Sequence, residues 1–223
     1  MNVDYFKEID TYKRAYFLGF ILGDGAIVER QRNNSISYEF SISINVRDKY
    51  ILDEFAKDIE SERMPYLLKD YSNRLGSGDL CRFNVSQKAF VIPLMSWGIT
   101  PRKSLTAKDI LPNIPKEFRA ACTLGLYDAD GSFTFANTNN KLGFPKRQYV
   151  QIRCTESIAQ GIIKEFGISS YHISRQDAIP NLSIGNKQEI INFLCKLYKD
   201  CPVFLSRKRE KFNMLLSQVQ TIS

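Results

Sequence analysis

Residues 14–27, RAYFLGFILGDGAI, and residues 119–133, RAACTLGLYDADGSF, decide the fold, because together they show that the chain is written twice. The two stretches begin about 105 residues apart. Each runs as an apolar helix, closes on Asp-Gly and passes into alternating, strand-like sequence. Ala15, Gly19 and Gly23 fall four apart in the first, and Ala121, Gly125 and Ala129 in the second. Residues four apart share a helix face, so each helix presents a stripe almost bare of side chains. A glycine inside a helix costs about 1 kcal/mol relative to alanine. Glycines 19, 23 and 125 therefore need an offsetting gain, which close packing of the two helices supplies.

The flanking sequence repeats in the same order. SISYEFSISINV (35–46) alternates strictly. Ile36, Tyr38, Phe40, Ile42, Ile44 and Val46 are expected to face the core, and Ser35, Ser37, Glu39, Ser41, Ser43 and Asn45 solvent. RDKYILDEFAKDI (47–59) switches to helical spacing, and strands at 65–71 and 80–86 with a helix at 87–96 complete the first unit. The second unit predicts strands near 132–137 and 147–154, a helix at 156–166, strands near 168–175 and 180–184, a helix at 186–198 and a basic helical tail from about 207 to 218. Each half reads α-β-β-α-β-β-α, an α+β fold of two pseudo-symmetric halves around a central two-helix interface. The boundaries are set at 1–105 and 119–223, with 106–118 as a linker in which Pro112 and Pro115 argue against one continuous helix.

A four-stranded sheet with helices on one face leaves the other face free. On it the pattern places Ser37, Glu39, Ser41, Arg82 and Asn84 in the first half, and Arg147, Tyr149, Gln151 and Arg153 in the second. Amide and guanidinium groups of this kind pair with base edges in the major groove. Any antiparallel sheet with one wet face has the same look, so the strands alone leave both readings open.

The chemistry sits at the base of each bare stripe, where Asp24 and Asp130 precede Gly25 and Gly131. One Asp-Gly does no more than end a helix and open a turn. Two copies behind matched stripes bring two carboxylates together at helix C-termini, where the dipole disfavours anions and the charges repel. A divalent cation resolves both problems, and Asp oxygens with water suit Mg²⁺. Mn²⁺ or Ca²⁺ takes the same kind of ligand. Such ions bind phosphates and activate water.

Composition narrows the partner. There are 31 Lys+Arg against 24 Asp+Glu, a formal net charge of +7, which favours a polyanion or an anionic membrane surface. No apolar run is long enough to span a bilayer, and the start MNVDYFKEIDTYKR lacks the pattern of a secretion signal. The expectation is an intracellular protein of the cytoplasm or an organelle matrix, not secreted. The five cysteines are widely spaced, and Cys81, Cys122, Cys154 and Cys195 sit in apolar patterns, so all are expected reduced and those four in the core. No CxxC pair and a single histidine, His172, argue against zinc. There is no Walker-type loop and no Ser-His nucleophile arrangement.

FLGFILGDG (17–25) and TLGLYDADG (123–131) resemble the two motifs of the LAGLIDADG homing endonuclease family, in its two-motif, monomeric form. The second is close to the consensus. The first departs from it, with Leu22 where the earlier Asp stands and Gly23 in place of Ala. The resemblance implies a DNA-binding saddle of antiparallel sheets lying along the major groove of a long, asymmetric double-stranded target. It implies a site-specific, Mg²⁺-dependent endonuclease, intron-encoded or free-standing, in which Asp24 and Asp130 are catalytic and hold metal. It further implies basic residues at the start of each half's last helix. Lys103 lies 79 residues after Asp24 and Lys208 lies 78 after Asp130, with Arg102 and Arg207 as neighbours that could serve instead. Polar positions near the site match Asp48 and Glu156, as aids to metal or water or as plain first-turn acids, and Gly23 and Ala129 stand beside the aspartates. Two fused halves need no obligatory protein partner. The alternative on the same scaffold is a non-cleaving DNA-binding regulator or an RNA maturase, with intron RNA as a possible partner. Retention of both acids favours the enzyme.

Overall fold

The computed structural model describes residues 1–32, 35–68, 79–135 and 148–220. The first helix, α1 (Tyr12–Asp24), starts at Thr11, whose hydroxyl accepts from the Arg14 amide at 3.2 Å. It leads without a loop into β1 (Gly25–Arg32), then β2 (Ser35–Asn45), a short turn, α2 (Lys49–Asp58), β3 (Tyr66–Leu68), β4 (Leu80–Val85) and α3 (Lys88–Ser96). The four-residue α4 (Lys103–Thr106) follows. The second half opens with α5 (Arg119–Asp130) and continues with β5 (Gly131–Phe135), β6 (Gln148–Arg153), α6 (Glu156–Phe166), β7 (Tyr171–Ser174), β8 (Asn181–Ile184), α7 (Lys187–Tyr198) and α8 (Ser206–Gln220).

Each half forms one antiparallel sheet, in the orders β1-β2-β4-β3 and β5-β6-β8-β7. The order is the same under the repeat, as duplicated sequence requires. Phe40, Ile42 and Ile44 of β2 and Cys81, Phe83 and Val85 of β4 are buried. Phe55 of α2 meets Phe17, Phe40 and Phe83 with ring centroids 4.9 to 6.4 Å apart. The second core is mostly aliphatic, built on Val150, Ile152, Leu182, Ile184 and Leu194. The alternation of β2 outruns this core: Ile36 is exposed and Tyr38 half-buried, because the helices cover only the part of the strand beyond Glu39.

Helices α1 and α5 form the centre of the molecule and are buried from residue 15 to 22 and from 121 to 128. The bare stripes are the contact. A Cβ placed on Gly19 would stand 1.8 Å from the Cys122 carbonyl oxygen, and one on Gly125 would stand 1.9 Å from that of Tyr16. The two contacts are reciprocal, since Gly19 and Gly125, and likewise Tyr16 and Cys122, are repeat partners. Only glycine admits a backbone this close.

Segment 106–118 lies against the core through Ile110, Leu111 and Ile114, with short turns at Leu111–Asn113 and Lys116–Phe118. All five cysteines are free and Cys81, Cys122, Cys154 and Cys201 are buried, but Cys195 is exposed, opposite to expectation. Cys195 falls on the outer side of α7, whose inner side carries Ile190, Phe193, Leu194 and Leu197. Among the described residues no helix is long and apolar enough to cross a membrane.

Candidate active site

Asp24 and Asp130 are the last residues of α1 and α5, so the close packing of those helices carries both carboxylates to one junction. The Asp130 carboxylate lies against the other helix, 3.2 Å from where a Gly23 Cβ would be, and Ala129 fills the space beside it. Asp24 is half-buried and Asp130 reaches the surface. Neither carboxylate accepts a hydrogen bond or joins an ion pair among the described residues. Burial, then the charge of Asp130, pushes the Asp24 carboxyl up to about 6. Burial raises Asp130 as well, against the pull of Lys103, Lys208 and Arg153.

The lysines are buried, yet neither is bonded to an aspartate carboxylate. Lys103 Nζ donates to the Gly23 carbonyl at 2.6 Å. Lys208 Nζ donates to the carbonyls of Tyr127, Asp128 and Gly131 at 2.6 to 2.7 Å and lies over the Tyr127 ring. Each ammonium thus satisfies helix C-terminal carbonyls, where a cation is favoured. Burial lowers Lys103 and brings Lys208 down to about 8. A cleft of ≈ 270 Å³ opens here, lined by Gly23, Lys103, Asp130, Arg153 and Thr155 among others.

Among the described residues no group of three His, Cys, Asp or Glu stands ready to hold a metal, so a closed protein cage is absent there. Two unpartnered carboxylates at adjoining helix ends, with raised protonation, fit an oxygen-preferring ion that keeps water or phosphate as its other ligands.

With this geometry in hand, the LAGLIDADG endonuclease profile matches residues 123–217, from the second motif helix into α8. The first half repeats that unit in strand order and in its motif helix. The chain has the fold of the LAGLIDADG endonucleases, and its second half matches their family model. Solved structures share the fold over nearly the whole length. The I-LtrWI LAGLIDADG homing endonuclease bound to target DNA is 14% identical with a TM-score of 0.64, covering 99% of this chain and 92% of that one. I-SmaMI bound to an uncleaved DNA target in the presence of calcium ions is 12% identical, with a TM-score of 0.61 and coverage of 93% and 92%. I-SmaMI bound to cleaved DNA is 13% identical, with a TM-score of 0.59 and coverage of 96% and 89%. No curated protein sequence matches the chain. Two antiparallel sheets flanking the α1–α5 pair are the LAGLIDADG saddle.

The other expected residues fall in two groups. On the outer faces of the sheets, Ser37, Glu39 and Ser41 of β2 stand with Arg82 and Asn84 of β4. Arg82 Nε donates to Ser43 Oγ at 2.8 Å, and Glu39 pairs with Arg30 at 2.8 Å. Tyr149, Gln151 and Arg153 of β6 share the second face with Ser183 and His172, and Gln151 Nε2 donates to Ser183 Oγ at 3.0 Å. Arg147 lies outside the described residues. Trp97 caps α3, and its ring nitrogen donates to the Phe6 carbonyl at 2.7 Å, as befits a packing residue.

Asp48 and Glu156 part company. Asp48 is buried and accepts from Arg207 Nε through both oxygens, at 3.1 and 3.0 Å. Glu156 is exposed and paired with Arg175. Repeat spacing finds these positions, but nothing in it reveals their partners. Asp128, the earlier acid of the second motif, was visible in the sequence without a role. It is buried, accepts from the Tyr16 hydroxyl at 2.9 Å and the Leu205 amide at 2.7 Å, and is pushed up to about 6 by burial.

Proposed function

We propose that this protein is a site-specific endonuclease that hydrolyses both strands of a long, asymmetric double-stranded DNA target, acting as a monomer of two LAGLIDADG halves (1–105 and 119–223) joined through 106–118. One observation carries the reading: the interlocked glycines of α1 and α5 bring two carboxylates, unpartnered among the described residues, together beside two buried lysines. A binding protein has little reason to retain two carboxylates in so unfavourable a place. The polar faces of both sheets begin at these aspartates, since β1 and β5 start at Gly25 and Gly131. Duplex DNA on the sheets therefore lies over the acids. The net charge of +7 suits a polyanion, and the similar I-LtrWI and I-SmaMI structures hold DNA.

Hydrolysis joins a water oxygen to phosphorus and breaks the bond from phosphorus to a bridging oxygen. Asp24 and Asp130 would hold Mg²⁺, and a bound divalent cation supplies an acidified water and stabilises the leaving oxygen. Lys103 and Lys208 place positive charge beside the phosphates as negative charge builds there. Gly23 keeps the approach to Asp130 open. The faces carrying Ser37, Glu39, Ser41, Arg82, Asn84, Tyr149, Gln151 and Arg153, with Arg147 in sequence, read base edges or hold phosphates.

The test is an in vitro selection from a randomised duplex library, with Mg²⁺ and with EDTA. Enrichment of one double-strand cut in Mg²⁺ alone supports the proposal. Enrichment by binding with no cut under Mg²⁺ or Mn²⁺ replaces it with a non-cleaving regulator.

A further inference from the structure

The two lysines are held very differently. Lys103 begins a four-residue helix entered through Arg102, which has left-handed backbone (φ 63°) and forms no ion pair among the described residues. Glu156, which the repeat places where it could face Arg102, instead pairs with Arg175 at the surface.

On the other side, α8 starts within a set of contacts that includes two side chains from the first half of the chain, Asp48 and Tyr50. Arg207 Nε reaches both oxygens of buried Asp48, and its Nη2 lies 3.0 Å from Oδ2. The Tyr50 hydroxyl lies 3.2 Å from the Phe204 carbonyl and accepts from the Ser206 amide at 2.6 Å. The preceding amide, of Leu205, is taken by Asp128, which also holds Tyr16 of α1. Lys208 stands one residue after Arg207, and its amide closes the first turn onto Leu205 at 2.9 Å. A forked guanidinium on a buried carboxylate fixes direction as well as distance. Asp48 and Tyr50 lie in the first half and Lys208 in the second, so the contact crosses the molecule.

We propose that Asp48 is a positioning residue: by holding Arg207 it fixes the start of α8 and hence Lys208, so that one of the two phosphodiester sites depends on a clasp between the halves that the other lacks. This rests on the endonuclease reading. It gives Asp48 no part in binding metal or water, and it makes the two strand cuts unequal in their sensitivity to substitution.

The experiment measures the cutting rate of each strand of an end-labelled target in Mg²⁺, per folded protein as judged by melting curves. Wild type is compared with Asp48→Asn, Lys208→Met and the double variant. Asp48→Asn is expected to slow one strand by about tenfold or more, the scale of a small misplacement, and to leave the other within about twofold. Nicked duplex then accumulates. The double variant is expected to cut no more slowly than Lys208→Met, because the first change acts only through the second site. Equal slowing of both strands, additive losses in the double variant, or an unchanged Asp48→Asn rate would overturn the proposal. If Asp48→Asn does not fold, Tyr50→Phe removes one hydroxyl from the same clasp, and its strand-selective loss decides the matter. If wild-type protein cuts no DNA, the endonuclease reading itself fails and this inference falls with it.

Discussion

Gly19→Ala puts one methyl group where two helix backbones cross. Its Cβ would lie 1.8 Å from the Cys122 carbonyl oxygen and 2.7 Å from the carbonyl carbon. An ordinary carbon–oxygen contact is about 3.3 Å, so α1 and α5 must part by roughly 1.5 Å. No rotamer change relieves this, because the opposing atoms are backbone. Overpacking costs about 1–3 kcal/mol, and rigid neighbours place this case at the upper end. Alanine returns about 1 kcal/mol of helix propensity. The net loss is about 2 kcal/mol, or a melting temperature lower by about 4–8 °C in a chain of this size. Since Asp24 ends α1 and Asp130 ends α5, separation also spoils the alignment of the carboxylates, so cutting should fall further than the folded fraction does. Gly125→Ala, the reciprocal position, should behave alike. The double variant should lose less than the sum, because one separation accommodates both methyls. Gly185→Ala is the control: it has nothing within 4 Å and no left-handed φ, and should be neutral. Scanning calorimetry and strand cutting read the series. Wild-type melting and wild-type cutting by Gly19→Ala would refute the close-packing argument.

Stability should also depend on pH in an unusual direction. The carboxyls of Asp24 and Asp128, pushed up to about 6, bind protons more tightly folded than unfolded, so stability falls as pH rises through about 6. Lys208, brought down to about 8, binds its proton less tightly folded, so stability recovers as pH rises above about 8. Metal-free protein is expected to melt lowest between these values within the range from about pH 5 to 9, and a calorimetric maximum there would contradict the assignment. Lys208→Met should lower the melting temperature more than Lys103→Met, because it strips three carbonyls of a donor rather than one. An equal or reversed order in thermal melts would speak against it. On the sheet face, Gln151→Ala should relax base preference at one target position by about 1–3 kcal/mol. Arg153→Ala should weaken binding at every sequence. Anisotropy titrations on single-base variants of the target separate the two outcomes.

The repeat made most of the fold legible. Helix and strand periods, the small-residue stripes and the Asp-Gly endings all lie within short windows, and they placed the central helix pair and its two acids. The lysines came from the family resemblance, which implies a basic residue at the start of each half's last helix, supported by nearly equal spacings of 79 and 78 residues after the aspartates. Contacts that break the symmetry had no such signal. Asp48 and Arg207 are 159 residues apart and come from different halves, and nothing in either local pattern pairs them. Glu156 occupies the repeat position of Asp48 but finds Arg175 nearer. Cys195 looked like a core residue because its neighbours are apolar, yet helical rotation turns it outward. Ile36 obeyed the strand alternation but lies beyond the reach of the covering helices.

The most direct test of the paired-acid site is strand-resolved cutting of the selected target by wild type, Asp24→Asn and Asp130→Asn, in Mg²⁺ and in EDTA. The account predicts Mg²⁺-dependent cutting of both strands by wild type. Each single substitution should abolish double-strand cleavage while leaving DNA binding intact. Full cutting of both strands by either variant, or wild-type cutting undiminished in EDTA, would contradict it.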